Sequence, residues 1–424
     1  MIVVYNVSVV TEELGSSRQF FNYMKLITEL KLIDSDYQNG TIEITSGLPF
    51  SQSATLRMVE FYSNSKFLNG NKDSAGREKP FYNIVNAMVD TAVVATDIDT
   101  KDIVVEADNE SSYDKSFLFN HEIFNWMKEA NFAKTLNDMG EIRARYGGVL
   151  VKKHEAGGEM NLEAVEWKNL VTDQVDILKG VIIEKHFMTP KEMREKKVWS
   201  NVEDAIGLYA KKGYTRTDER IEVWEAHGEF PVGYLVDEAE TLVGYLADEA
   251  EADGSEYSNQ VHFFCVKNAK QVHLYWAEEK ELLYKYLPWK AAAGRALGRG
   301  VVEVGEEAQV WTNDSVQKEQ SAMELASKII GKTNSRKLGN NLSTDYDNGG
   351  IMVLEENKTF EIMQLLPAGL PAEFQNLMNK WWSQYERATS SYDAVRGETP
   401  PSSQPYRLQA LINQTGSSHF DYRR

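Results

Sequence analysis

From residue 301 to residue 330 the chain carries no proline and a single glycine, Gly305. Glycine and proline are the strongest punctuators of local structure, so their near absence over about thirty residues predicts one long helix. Helices in globular domains average about three turns. At 1.5 Å per residue this one would reach roughly 45 Å, more than the width of a small domain. A second long helix is predicted over residues 371–393, with Phe374, Leu377, Met378, Trp381, Trp382 and Tyr385 at helical spacing. Between the two, residues 335–366 hold a turn cluster, NNLSTDYDNGG, and two short strand candidates, IMVLEEN and TFEIMQL. Two long helices around a small excursion describe a strut rather than a pocket.

Length and composition narrow the class. A chain of 424 residues can bury a core easily and has room for two or three domains. With 42% hydrophobic and 26% charged residues it has the make-up of a folded globular protein. No run approaches the eighteen or so apolar residues of a membrane span. The apolar start, MIVVYNVSVV, lacks the basic residues that open a signal peptide and predicts a short strand instead. The one cysteine, Cys265, excludes an internal disulfide and suits a reducing cytoplasm. Its neighbours Phe263, Phe264 and Val266 predict a buried structural thiol. The 46 basic and 64 acidic residues leave a net charge of −18. Gripping nucleic acid requires clustered Lys and Arg to neutralise phosphates. The balance fits a protein that surrounds DNA without holding it, and equally an ordinary soluble protein.

Along the chain, Phe20, Met24, Ile27 and Leu30 predict an amphipathic helix over 20–32. Residues 51–77, ending in GNKDSAGR, read as a loop. From Pro80, a residue suited to a first helical turn, Phe81, Ile84, Val85, Met88 and Ala92 return to helical spacing. Residues 113–146 predict two helices, the first lined by Phe117, His121, Phe124 and Met127, with His121 as a packed core residue. Gly147 and Gly148 stop the second, and VLVKKH follows as a strand. From residue 160 to 288 the texture is β-rich: LEAVEWKNLV, VIIEKHF, RIEVWEAHGEF, QVHFFCVK and KQVHLYWA are strand candidates, the last two joined by a turn at Asn268 and Ala269. Helical interruptions are predicted over 189–196 and 201–212. The fold class is therefore α+β, an antiparallel meander with helices against it. VGYLVDEAE at 232–240 recurs as VGYLADEAE at 243–251, a local duplication in an acidic surface excursion. After the second long helix, GETPPSSQP breaks the chain at 397–405 and residues 406–413 begin another helix.

No motif carries a clear chemistry. IGKT at 330–333 has the last three residues of a P-loop, but the first P-loop glycine is Ala326 and the preceding residues read as helix, not strand. Lys332 is better placed as a cation near a helix C-terminus. GRALGRG at 294–300 does not match the dinucleotide fingerprint and reads as a close-packed turn into the long helix. The seven histidines, at 121, 154, 186, 227, 262, 273 and 419, are scattered without zinc-ligand spacing. Among so many carboxylates no acid–base pair stands out. No catalytic residue, cofactor or metal is expected.

The order of these elements, with several stretches, resembles the portal proteins of tailed double-stranded DNA bacteriophages. The stretches are REKPFYNIVNAMVD (77–90), YGGVLVKK (146–153), VEWKNLVTD (165–173), LPWKAAAGRALGRGVVE (287–303) with Gln309 and Asn313 downstream, GGIMVLEE (349–356) and RGETPPSSQPYRLQALINQTGSSHFDYRR (396–424). The resemblance implies a ring, usually of twelve subunits, at one capsid vertex. It implies a mixed α/β wing over 77–287, a crossing and first stem helix over 288–334, and a small α/β clip over 335–366. A second stem helix would span 367–395, a tunnel loop 396–405, and residues 406–424 would begin a long wing helix whose crown is missing. Residues 1–76 find no counterpart. Arg396, Glu398, Ser402, Ser403, Gln404 and Arg407 would face DNA, and Trp311, Met323, Ile329, Phe374, Trp381 and Trp382 would pack the stem.

The expected function is that of a non-enzymatic conduit for DNA packaging and ejection, in the virion and, during assembly, in the host cytoplasm. Its partners would be other copies of itself, the terminase large subunit, a head–tail adaptor, the major capsid and scaffold proteins, and double-stranded DNA passed without sequence specificity; no membrane is expected. The alternatives are a P-loop ATPase or nuclease of the packaging machinery, and a head–tail adaptor.

Overall fold

The computed structural model describes residues 25–73, 76–109, 112–156, 159–211, 213–231, 257–267, 270–327, 330–334, 360–363 and 370–389. Over these residues the chain is α+β and its sheets are antiparallel, as predicted. It forms two compact units, one from the described parts of 1–60 and 89–303, the other from those of 61–88 and 304–416.

The first unit begins with helix α1 (residues 25–39), which buries Leu26, Ile27 and Leu30. A hairpin of β1 (Ile42–Thr45) and β2 (Leu48–Phe50) follows, and Phe50 joins the same apolar cluster. Where a loop is predicted over 51–77, helix α2 (Gln52–Ser63) forms instead. Its apolar residues Leu56, Met58, Val59 and Tyr62 are buried, while most of the Ser, Asn and Gly residues that suggest a loop lie from Ser63 onward. Gln52 fixes its start: its backbone N–H donates to Gln174 Oε1 and its side chain to Thr172 Oγ1, both at 3.0 Å. Helix α3 (Val85–Ala95) starts five residues later than Pro80 suggests, with Asn83 Oδ1 accepting from the Asn86 N–H at 3.0 Å.

Helices α4 (Tyr113–Glu129) and α5 (Phe132–Tyr146) form as predicted. The packed reading of His121 does not hold. His121 is exposed, Phe117 and Phe124 are 70% and 49% exposed, and of that face only Met127 is buried. Gly147, at φ 97°, ends α5 in the left-handed conformation that glycine adopts without strain.

Two sheets follow. β3 (Gly148–Ala156) lies between β4 (Glu159–Val165) and β10 (Tyr284–Pro288). The larger sheet is a meander in chain order: β5 (Leu170–Val171), β6 (Ile182–Met188), β7 (Ile221–Pro231), β8 (Tyr257–Lys267) and β9 (Lys270–Glu278). Lys267 stands opposite Lys270, in keeping with a two-residue turn; Asn268 and Ala269 themselves lie outside the described residues. The short helices α6 (Pro190–Glu195) and α7 (Val202–Gly207) interrupt the meander as predicted, the first opened by a Thr189–Glu192 capping box. One core joins Leu150, Trp167, Ile182, Ile183, Trp224, Phe264 and Tyr284. A second gathers Met193, Ile206, Val223, Leu274 and Cys265, whose thiol is buried and pushed up to about 12 by desolvation. GRALGRG is a close-packed turn: a Cβ on Gly147 would strike the Gly298 carbonyl, so the two backbones touch directly.

The predicted single helix is interrupted: α8 (Val301–Val304), whose first three residues belong to the first unit, ends at Gly305, and α9 (Glu306–Ser327), in the second unit, then runs without a break. Helix does not extend through Lys332. Residues Ile330–Thr333 form β11, paired with β12 (Phe360–Met363), and Lys332 faces Glu361 across the ladder rather than capping a helix. The β-branched Ile330 and Thr333 suit such a pairing. Helix α10 (Leu370–Thr389) follows. The MIVVYNVSVV start, Phe20 and Met24, the VGYL duplication, the NNLSTDYDNGG and IMVLEEN stretches and residues 390–424 lie outside the described residues. No helix among the described residues is long and apolar enough to cross a membrane.

Candidate functional site

Helices α9 and α10 form an antiparallel hairpin whose register can be read rung by rung. At its base Gly305 meets the ring of Tyr385, and a Cβ at Gly305 would overlap that ring. One and a half turns on, the indoles of Trp311 and Trp381 stack with centroids 5.8 Å apart and planes 1° from parallel. Beyond them Gln375 Nε2 donates to Glu319 Oε1 at 3.1 Å. The two chains then continue into the β11–β12 ladder, from Ile330 opposite Met363 to Thr333 opposite Phe360. Helix α9 spans about 33 Å, and the ladder covers roughly 13 Å of strand.

The base of the hairpin grips an extended segment of the same unit. Gln309 is fully buried; its Nε2 donates to Tyr82 O at 2.7 Å, and its Oε1 accepts from the N–H groups of Ile84 and Val85 at 3.0 and 3.4 Å. One turn further, Asn313 Oδ1 accepts from the Tyr82 N–H at 2.9 Å. Two amide side chains therefore satisfy the backbone of a segment that has no sheet to join. Gln309 Oε1 thereby serves the N–H groups at the start of α3, which have no partner within the helix.

Of the residues predicted to pack the stem, Trp311 and Trp381 stack with parallel, offset rings, with Trp311 still 41% exposed. Phe374 and Trp382 are half-buried on α10. The side chain of Met323, and Ile329 altogether, lie outside the described residues, as do Arg396, Glu398, Ser402, Ser403, Gln404 and Arg407.

A charged cluster in the first unit went unseen in the sequence, where the histidines look scattered and no carboxylate pair stands out. Glu184 and His186 alternate on β6, as Glu225 and His227 do on β7, so all four point to one face of the larger sheet. Glu184 and Glu225 are direct cross-strand partners. Like charges so placed repel, and Lys152, projecting from β3 of the other sheet, resolves the conflict. Its Nζ is 2.9 Å from Glu184 Oε2 and 2.5 Å from Glu225 Oε2. Glu225 also receives His186 Nε2 at 2.6 Å, and Tyr284 of β10 donates to Glu184 at 2.9 Å. Burial disfavours charge on Glu225, but its bonds from His186 and His227 and the Lys152 charge outweigh that and hold it well below the usual carboxylate range. Burial likewise opposes the Lys152 ammonium, and the two glutamates overcome it, raising its pKa. Glu184, His186 and Glu225 bring one donor atom each within 4.8 Å of the others, a spacing that suits a cation, and the cation seated among them is the Lys152 ammonium. The cluster clamps two sheets together by charge.

Beside it runs a neutral chain. Gln260 Nε2 donates to Phe230 O at 3.0 Å, which turns Gln260 Oε1 toward His262 Nε2 at 2.9 Å. His262 Nε2 must then carry the proton, and His262 Nδ1 accepts from His273 Nε2 at 3.4 Å. Burial, with the neighbouring His273 and His227, lowers the His262 pKa to about 3, and burial lowers that of His273 to about 4.

Comparison with protein-family models gave no match to this sequence, and comparison with curated proteins gave none either.

Proposed function

We propose that this chain is a portal-type subunit, one copy of a ring, of about twelve by the resemblance, that forms the channel for double-stranded DNA at a phage capsid vertex. The observation that carries the reading is the antiparallel hairpin from Gly305 and Tyr385 through stacked Trp311 and Trp381 to the β11–β12 ladder. Two long helices joined through a small β element are the stem and clip of that architecture, and a strut of this kind finds its purpose in a wall built with its copies. A second support is the grip of Gln309 and Asn313 on residues 82–85, which ties together two of the stretches that carry the resemblance. The net charge of −18 suits a channel that lets DNA slide.

On this reading residues 77–287 are wing, and the clip ladder begins at Ile330, slightly before the predicted clip boundary. Residues 396–405 form the tunnel loop, where Arg396, Glu398, Ser402, Ser403 and Gln404, with Arg407 just beyond, face DNA. The subunit docks the terminase large subunit during packaging and an adaptor afterwards, within a shell of capsid and scaffold proteins, and the terminase supplies the energy. Placement of Lys332 in a strand opposite Glu361 counts against the P-loop ATPase alternative, since a P-loop lysine needs a glycine-rich loop opening a helix. An adaptor would have no use for the paired helices.

Electron microscopy and mass photometry of the purified chain test the proposal: rings with a central channel are expected. A globular monomer that persists across concentration and salt, or ATP hydrolysis that Lys332→Ala abolishes, would overturn it.

A further inference from the structure

The His227 ring, 1% exposed, lies between two carboxylates: Nε2 is 2.8 Å from Glu225 Oε1 and Nδ1 is 2.9 Å from Glu279 Oε2. A neutral imidazole has one N–H and one lone pair, so it can donate to only one of two acceptors. With both carboxylates ionised, both contacts are hydrogen bonds only when the ring carries both protons. Glu225 lies on the same strand, but Glu279 follows the last residue of β9. It opens the five-residue crossing, 279–283, that carries the chain from the larger sheet to β10 of the smaller one. Tyr284, the first residue of β10, forms a T-shaped ring pair with His227, with centroids 5.0 Å apart and planes at 82°.

We propose that His227 is a buried imidazolium that latches this crossing between the sheets through Glu279, and that loss of its proton releases the latch.

The surroundings fit a positive ring. Glu184, Glu225 and Glu279 supply three carboxylates, against which Lys152 places one ammonium. His186 on β6 touches Glu225 from the other side. On the far strands, His262 of β8 donates to Gln260 and accepts from His273 of β9, which leaves His262 neutral, and burial disfavours charge on His273. The uncompensated negative charge therefore falls on the His227 side of the cluster. Burial opposes its ionisation, and the bonds to Glu225 and Glu279 overcome that and raise its pKa. A raised histidine contributes stability that is complete below its unfolded value, near 6.5, and lost as pH rises through the higher folded value. The latch is closed in mild acid and opens on the alkaline side. This inference stands apart from the portal reading and survives its failure.

The test uses the full chain labelled with ¹⁵N-histidine, the His227 signals being assigned by their loss in His227→Gln. At pH 6.5 both ring nitrogens of one buried histidine should appear protonated, converting to a single N–H only at higher pH. Backbone hydrogen exchange of 279–284, corrected for its intrinsic pH dependence, should accelerate at least tenfold across that conversion. In Glu279→Gln the conversion should move at least one pH unit lower. That shift also identifies the ring if His227→Gln does not fold. A neutral His227 at pH 6.5, or exchange at 279–284 that is indifferent to its protonation, would overturn the proposal.

Discussion

Glu184 and Glu225 face each other directly across β6 and β7, and the Lys152 ammonium that separates their charges comes from the other sheet. Removing one partner of such a buried set leaves uncompensated charge, which typically costs about 3–5 kcal/mol. Lys152→Met should therefore lower the unfolding free energy by about that much at pH 7. Denaturant titration at pH 7 should show the deficit directly. Adding Glu184→Gln to Lys152→Met should recover much of the loss. A Lys152→Met protein as stable as the parent would show that the cluster holds nothing together.

The histidine chain of β8 and β9 predicts the opposite pH response to that of His227. His262 and His273 have lowered pKa values, to about 3 and about 4, so they stabilise the fold in their neutral form. That contribution is complete above the unfolded value near 6.5 and is lost as pH falls toward 4 and 3. For fully buried His262 the linked free energy is on the order of a few kcal/mol. Ring spectra should show both histidines still neutral at pH 5, and thermal stability should decline steadily from pH 6.5 downward. Protonation of either ring at pH 6 would contradict the assignment.

Gln309 makes three hydrogen bonds to the backbone at Tyr82, Ile84 and Val85. Buried backbone groups left unsatisfied cost about 1–3 kcal/mol each. Gln309→Leu should destabilise the second unit by about 3 kcal/mol. It should also abolish hydrogen-exchange protection of the Ile84 amide while leaving the amides of β7 untouched. Unchanged protection at Ile84 would mean that another group holds this segment.

Gly305 is where the predicted long helix is interrupted, and the Tyr385 ring occupies the space that a Cβ would need. Gly305→Ala should cost about 1–3 kcal/mol through overpacking, even though alanine is the better helix former. Thermal melting should show most of that loss restored by Tyr385→Leu. A Gly305→Ala protein more stable than the parent would mean that helix propensity, not packing, governs the break.

The periodic elements were legible in the sequence; what covers them was not. Alternation marked β6 to β9, and glycines 147 and 148 marked the end of α5, because those signals are local. The spacing of Phe117, Phe124 and Met127 announced an amphipathic helix but could not say that most of the face is exposed. Helix α2 was hidden because its start depends on Gln174 and Thr172, more than a hundred residues away. The alternating Glu184 and His186, and Glu225 and His227, were readable as polar positions on buried strands. Their meaning comes from Lys152 and Glu279, which only the packing of two sheets brings to them. Gln309 and Asn313 drew notice by resemblance, whereas their physical role needed the backbone of Tyr82 beside them.

The rung-by-rung locking of α9 and α10 has a mechanical consequence. Two helices joined at Gly305–Tyr385, Trp311–Trp381 and Glu319–Gln375 resist sliding past one another, so they bend as one beam rather than two. Such a beam, about 33 Å long, works as a lever. A rotation of about ten degrees at the Gly305 end sweeps the Ser327 end of α9 through roughly 6 Å by that length. A small adjustment at the base is delivered at the tip as a displacement larger than one helical turn.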